Sequence, residues 1–298
     1  MLASTVRVLA AATALALALT GCDNGYKEEY VLPNGYGTEA ATADQMPASV
    51  KEIKKRGVLR VGITTDAPGF GLRSPKTGEI EGFDAEMARL ISIRIFGTPS
   101  KVKFVTVTSA QRPEVIKQKT VDIVTATYTI TPARAKIIGF VGPYFNAGQD
   151  ILVKTGNTQI KSVANLAGRR VCTQKGTTSL DQLQKAQPNA IVTATDSFLK
   201  CAEGVKTGTY DAVTTDNVIL AGLAADSMGA LSLVGELFSD ESYGIGIARD
   251  DKGLRTFLHE TLNLIFLNGD WTRAWLRTLQ HFFGDAPEVP TLVVNPGL

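Results

Sequence analysis

From Val50 onward, short runs of branched apolar residues alternate with segments of helical period, and the alternation runs through twice. The first series has strand-like "VLRVGIT" (58–64), "KVKFVTV" (101–107) and "VDIVTAT" (121–127). Between them, "GFDAEMARLISIRIFG" (82–97) carries Met87, Leu90, Ile91 and Ile95 at helical spacing, and "SAQRPEVIKQKT" (109–120) reads as a helix. "FVGPYFNAGQDILVKT" (140–155) leads through a Gly/Pro turn into another strand, and the pattern restarts. Strands are predicted within 165–174, 190–195, 210–216 and 231–236, with helices at 177–186, 197–208 and 217–226. Two helices, 252–267 and 270–282, follow "ESYGIGIARD" (241–250). Repeated strand–helix–strand units call for parallel sheets with helices on both faces, and two series predict two α/β lobes. Ligands of open α/β sheets sit beyond the carboxyl ends of the strands.

Four such ends carry polar groups. "ITTDAPGFG" (63–71) places Asp66 before a glycine-rich turn. "TATYTITPAR" (125–134) brings Thr127, Thr129 and Arg134 to a helix start, with Thr131 as N-cap and Pro132 at the first helical position. "CTQKGTTSL" (172–180) sets Gly176 before Thr177 and Thr178, whose free amides suit an anion. "VTTDNV" (213–218) ends a strand on Asp216. Arg134 with the Thr177–Thr178 amides would receive a carboxylate, and Asp216 a cation. Together they suit an α-amino acid zwitterion. Each has an ordinary alternative: Thr177 and Asp216 as plain N-caps, Arg134 as the partner of a surface carboxylate.

Composition excludes other classes. The 298 residues are 44% hydrophobic and 20% charged, with 31 basic and 29 acidic side chains. That supports a packed core and gives no basic block for nucleic acid. His259 and His281 lie in helical pattern away from metal-ligand spacing, so neither a metal nor a cofactor is expected. Arg7 precedes an apolar run, Val8–Leu19, too short to span a bilayer and fitting an export signal. It ends in "LTGC" (19–22), which resembles the lipobox of bacterial lipoproteins, with Cys22 lipidated after cleavage of 1–21. Residues 22–49 read as a flexible tether, roughly 25–30 Å in root-mean-square span if coil-like. Export makes a Cys172–Cys201 disulfide the favoured pairing over two buried free thiols.

"GFDAEMARLI" (82–91) resembles the signature of bacterial solute-binding proteins of family 3, the polar amino-acid receptors of ABC importers; Ala85 is smaller than usual there. "YTITPAR", "KGTTSL", "YDAVTTD" and "ESYGIGIARD" resemble the family's ligand and return segments, in its order. With "LTGC" and the two cysteines, the chain is most similar to actinobacterial glutamate- and glutamine-binding lipoproteins. The resemblance covers about residues 50–283. It implies a two-lobed type II Venus-flytrap fold with hinge strands near 144–148 and 239–243. Lobe 1 would comprise 50–145 and 242–285, lobe 2 146–241, and 286–298 a tail. Arg134 would bind the α-carboxylate, helped by Thr129 and the Thr178 amide, and Asp216 with the Thr127 carbonyl would hold the ammonium. Gln174 stands where relatives carry a side-chain reader. Arg112 could meet a distal carboxylate, and Asp66 either pairs with Arg112, Arg73 or Lys76 or reads an amide. The implied function is a monomeric receptor, lipid-anchored on the outer face of the cell membrane. It would capture glutamate, or aspartate, glutamine or asparagine, for a membrane permease. A sensor for another membrane protein, and a dehydratase or wall-cleaving enzyme on the same lobes, are the alternatives; no G-x-S-x-G elbow supports the enzyme.

Overall fold

The computed structural model describes residues 36–294; the export signal, Cys22 and the first part of the tether lie outside them. Helix α1 (Ala48–Arg56) leads into β1 (Leu59–Ile63), and a small antiparallel sheet follows: β2 (Asp66–Ala67), β3 (Gly71–Arg73) and β4 (Ile80–Glu81). Then come α2 (Phe83–Phe96), β5 (Val102–Thr106), α3 (Arg112–Lys117), β6 (Ile123–Val124), α4 (Pro132–Ala135) and β7 (Gly139–Ala147). Beyond β7 run β8 (Gln149–Lys154), β9 (Arg170–Gln174), α5 (Thr178–Ala186), β10 (Ile191–Thr195), α6 (Phe198–Thr207), β11 (Ala212–Asp216), α7 (Asn217–Asp226) and β12 (Leu231–Leu233). The chain closes with β13 (Glu241–Ile247), α8 (Lys252–Leu267), α9 (Asp270–Thr278) and α10 (Gln280–Phe283).

Two five-stranded sheets result, ordered β5-β1-β6-β13-β7 and β10-β9-β11-β8-β12. The same plan is used twice. Each sheet is parallel at one side and receives one reversed strand, β13 in the first and β8 in the second. These reversed strands are the crossovers. β7 passes through Gly148 into β8, and the chain returns through Ser239 and Asp240 into β13. There Glu241 pairs with Ala147 and Tyr243 with Phe145.

The "GFDAE" motif owes its composition to this junction. Phe83 packs 5.4 Å from the Phe145 ring and 5.5 Å from Trp271, beneath the crossovers. Asp84 is fully buried; its carboxylate accepts the Tyr144 hydroxyl and, at 2.8 Å, the Thr127 N–H. Burial pushes its carboxyl up to about 6, against those two hydrogen bonds. That bond also explains why the strand predicted over 121–127 shortens to Ile123–Val124. Asp84 takes the Thr127 amide out of the ladder, and Thr127 turns to φ 43°.

The tether expected to run to residue 49 gives way to packed chain from Tyr36 onward. Thr38 donates its N–H and hydroxyl to the buried Asp270, and Gly37 N–H joins at 3.0 Å. Tyr36 reaches Glu86 at 2.7 Å, and Ala41 and Met46 are buried. The tail expected from 286 likewise lies on the fold: Val293 donates to the Gly142 carbonyl at 3.0 Å, and Leu292 packs against the core. Cys172 of β9 and Cys201 of α6 are joined by a disulfide, with Cα atoms 5.4 Å apart. Among the described residues no helix is long and apolar enough to cross a membrane.

Candidate ligand site

The carboxyl ends of the two sheets face each other across a narrow, nearly closed cavity with room for about one water, about 10 Å³. Arg112, Thr127 and Thr129 reach it from the first sheet, and Thr177, Thr178 and Asp216 from the second. Sequence reasoning had singled out all six. Ser109, Ser179 and Thr215 add hydroxyls, and Phe198 and Ile219 are the apolar walls.

Thr177 is the N-cap of α5: its hydroxyl oxygen accepts the Leu180 N–H at 3.3 Å. Its ordinary role therefore holds. Asp216 stands at the N-cap position of α7 but makes no side-chain capping bond. Its Oδ2 accepts the Tyr243 hydroxyl, and its Oδ1 is buried without a hydrogen-bond partner. An unsatisfied buried carboxylate oxygen costs about 1–3 kcal/mol or more. Asp216 lines the cavity, and a buried oxygen of this kind is satisfied by a donor or a cation. Burial, then the neighbouring Glu241, pushes Asp216 up to about 7, against the Tyr243 hydroxyl and the charges of Arg112 and Arg134.

The arginines behave differently from their sequence reading. Arg112 is locked to main chain: Nε donates to Ser109 O, Nη1 to Ala126 O and Thr127 O, and Nη2 to Gly176 O, all within 2.9–3.1 Å. Its guanidinium is thus not held open for a distal carboxylate, although it lines the cavity. Burial, then Arg134, lowers it to about 10. Arg134 sits beside the cavity rather than among its lining residues, donating to Thr129 O at 2.8 Å and Gly176 O at 3.2 Å. Both guanidiniums lie over the Tyr128 ring, at 4.2 and 5.0 Å. Helix α4 is a single turn, so its dipole adds little to anion binding there.

Asp66 and Gln174 also stand off the cavity and meet each other. Gln174 Nε2 donates to Asp66 Oδ2 at 3.2 Å, and its Oε1 accepts the Ser109 hydroxyl at 3.3 Å. Asp66 Oδ2 accepts the Phe198 N–H at 3.3 Å as well. Asp66 takes these donors from the second sheet rather than a direct ion pair with Arg112, Arg73 or Lys76, because the carboxylate faces the start of α6; Arg112 still favours its ionised form. Burial raises its pKa, opposed by the Ser197 and Phe198 hydrogen bonds.

The model of the bacterial extracellular solute-binding proteins, family 3, matches residues 59–281. The chain belongs to that family. The ABC transporter glutamine-binding protein GlnH of Bacillus subtilis is 35% identical to this solute-binding protein over 83% of the chain and 89% of its own. The glutamate-binding protein GluB of Corynebacterium efficiens is 31% identical over 74% of this chain and 78% of its own. The crystal structure of a cysteine-binding protein from Campylobacter jejuni superposes with a TM-score of 0.75 at 28% identity, covering 83% of this chain and 99% of that one.

Sequence reasoning missed Glu241 and Tyr243. Both sit in "ESYGIGIARD", read as the return segment and, over 239–243, as a hinge strand, with no role at the ligand. Tyr243 holds Asp216, and Glu241 accepts the Thr178 hydroxyl at 2.7 Å. An acidic residue opening a strand of mostly apolar and small residues was the available signal; the structure buries it to 1% exposure.

Proposed function

We propose that this solute-binding protein is the extracytoplasmic receptor of an ABC importer for glutamine and its close relatives. The unpartnered Oδ1 of Asp216, on the cavity wall near two guanidiniums, carries the reading. The ligand ammonium would meet Asp216. The α-carboxylate would meet the Arg112–Arg134 side with Thr129 and the first turn of α5. Bridging both lobes, the ligand would favour their approach. Export by "LTGC" and lipidation of Cys22 complete the proposal, and a membrane permease would take the ligand from the receptor.

Glutamine is favoured over glutamate. The α-amino acid head already balances its partners, and Arg112, the cation among the lining residues, is engaged by main-chain carbonyls. Calorimetry of the mature domain against glutamine, glutamate, asparagine and aspartate is expected to give the tightest binding with glutamine. No heat with any of the four would remove the ligand class, and tighter binding of glutamate would reverse the side-chain assignment.

A further inference from the structure

Glu241 opens β13 where the chain returns from the second sheet, and its backbone pairs with Ala147 of the outgoing crossover. Its Oε1 accepts the Ser239 hydroxyl at 2.8 Å, and Ser239 Oγ in turn accepts the Gln149 N–H at 3.2 Å. Its Oε2 accepts the hydroxyl of Thr178, the first residue of α5. Thr178 Oγ1 stands 3.4 Å from Thr129 Oγ1 on the opposite side of the cavity. One carboxylate thus ties the two crossovers together and fixes the end of the helix that faces the ligand. Its direct partners are hydroxyls; the cation it faces is Arg134.

We propose that Glu241 is a positioning residue of the ligand site: it seats the Thr178 end of α5 against the hinge and adds a second negative charge next to the Thr178 wall of the cavity. This rests on the amino-acid-receptor reading given above. Several charged or titratable groups face Asp216. They are Glu241 and Tyr243 of β13, Arg112 of α3 and Arg134 of α4. Of these, Glu241 is the one whose charge opposes the ionisation of Asp216, while Arg112 and Arg134 assist it. A bound ammonium reverses that opposition, because it draws on both carboxylates at once.

The experiment compares wild type with Glu241→Gln and Thr178→Val. Carboxyl ¹³C NMR follows Asp216 without added amino acid, and glutamine calorimetry runs from pH 5 to 8. Glu241→Gln is expected to move the Asp216 midpoint, and the acid limb of binding, to lower pH. Its plateau affinity should fall about tenfold, the size of one charge-assisted contact. Thr178→Val is expected to weaken binding with the Asp216 midpoint unmoved, and it tests the seating should the first variant not fold. An unmoved midpoint in folded Glu241→Gln, or affinity unchanged in Thr178→Val, overturns the proposal. Failure of wild type to bind any amino acid would instead strike the receptor reading, while the NMR titration still decides the effect of Glu241.

Discussion

Asp216→Ala should abolish measurable binding of glutamine. Removing one partner from a buried ammonium–carboxylate pair costs roughly 3–5 kcal/mol, a loss of a few hundred-fold or more. Asp216→Asn is the sharper test, since it can still accept the Tyr243 hydroxyl that Oδ2 holds now. It should bind as poorly as the alanine variant, because what matters is charge on the cavity wall. The pH dependence follows with a definite sign. Asp216 is pushed up to about 7 by burial and Glu241, so below that pH the free protein carries a proton there. A bound ammonium requires the ionised form, so binding releases that proton. Affinity should therefore rise about tenfold per pH unit up to near 7 and then level off. The same shift means that the fold alone loses stability as pH rises from the ordinary carboxylate range toward 7, and the ligand restores it. Calorimetry across pH 5–8 checks this; a flat profile in wild type, or tight binding by Asp216→Asn, would detach Asp216 from the ammonium.

Gly222→Ala should weaken binding too, although residue 222 lies off the cavity. Gly222 is inside α7, and a Cβ there would lie 2.4 Å from the Pro68 carbonyl oxygen of the first lobe. Within the second lobe alone the change is favourable, since alanine exceeds glycine by about 1 kcal/mol in a helix. The clash exists only when the lobes meet as they do in this structure. The variant should thus melt no earlier than wild type without ligand, yet bind glutamine at least about tenfold more weakly, as its binding-competent fraction falls. Gly176→Ala should act in the same direction more strongly. Residue 176 has φ 73°, and its Cβ would lie 2.5 Å from Ala110 Cα. Small-angle scattering with and without glutamine reads the approach directly. Wild-type affinity and full compaction in Gly222→Ala would show that Pro68 and α7 do not meet in the bound form.

Much of this architecture was readable from local pattern. The "NVILAGLAAD" segment forms α7 over the residues its period indicated, and strand ends bearing Thr127, Thr178 and Asp216 converge on one cavity. What was not readable depends on partners far apart in the chain. Nothing near Asp66 announces Gln174, 108 positions on, and nothing near Thr38 announces Asp270. Arg112 looked free because its four acceptors are carbonyls, which leave no mark on a side-chain pattern. Asp216, expected to receive a cation, fitted a plain cap equally well in residue type and position. Only its hydrogen bonds separate the two roles.

The exchange of reversed strands also fixes an order of assembly. Strand β7 touches its own sheet only through β13, which is made after the whole of 149–240. The intervening sheet holds β8 through β12 without a break in sequence, so it can complete itself while the first still lacks the strand that joins β7 to β6. Closing contacts across so long an insertion is slow relative to local pairing. The second sheet should mature first during refolding, with its amides protected before those of β6 and β7 in pulsed hydrogen exchange; simultaneous protection would refute that sequence of events. An exported chain would then present an unfinished edge until the last fifth of its residues emerges, which makes the β13 segment the step that commits the molecule to its final form.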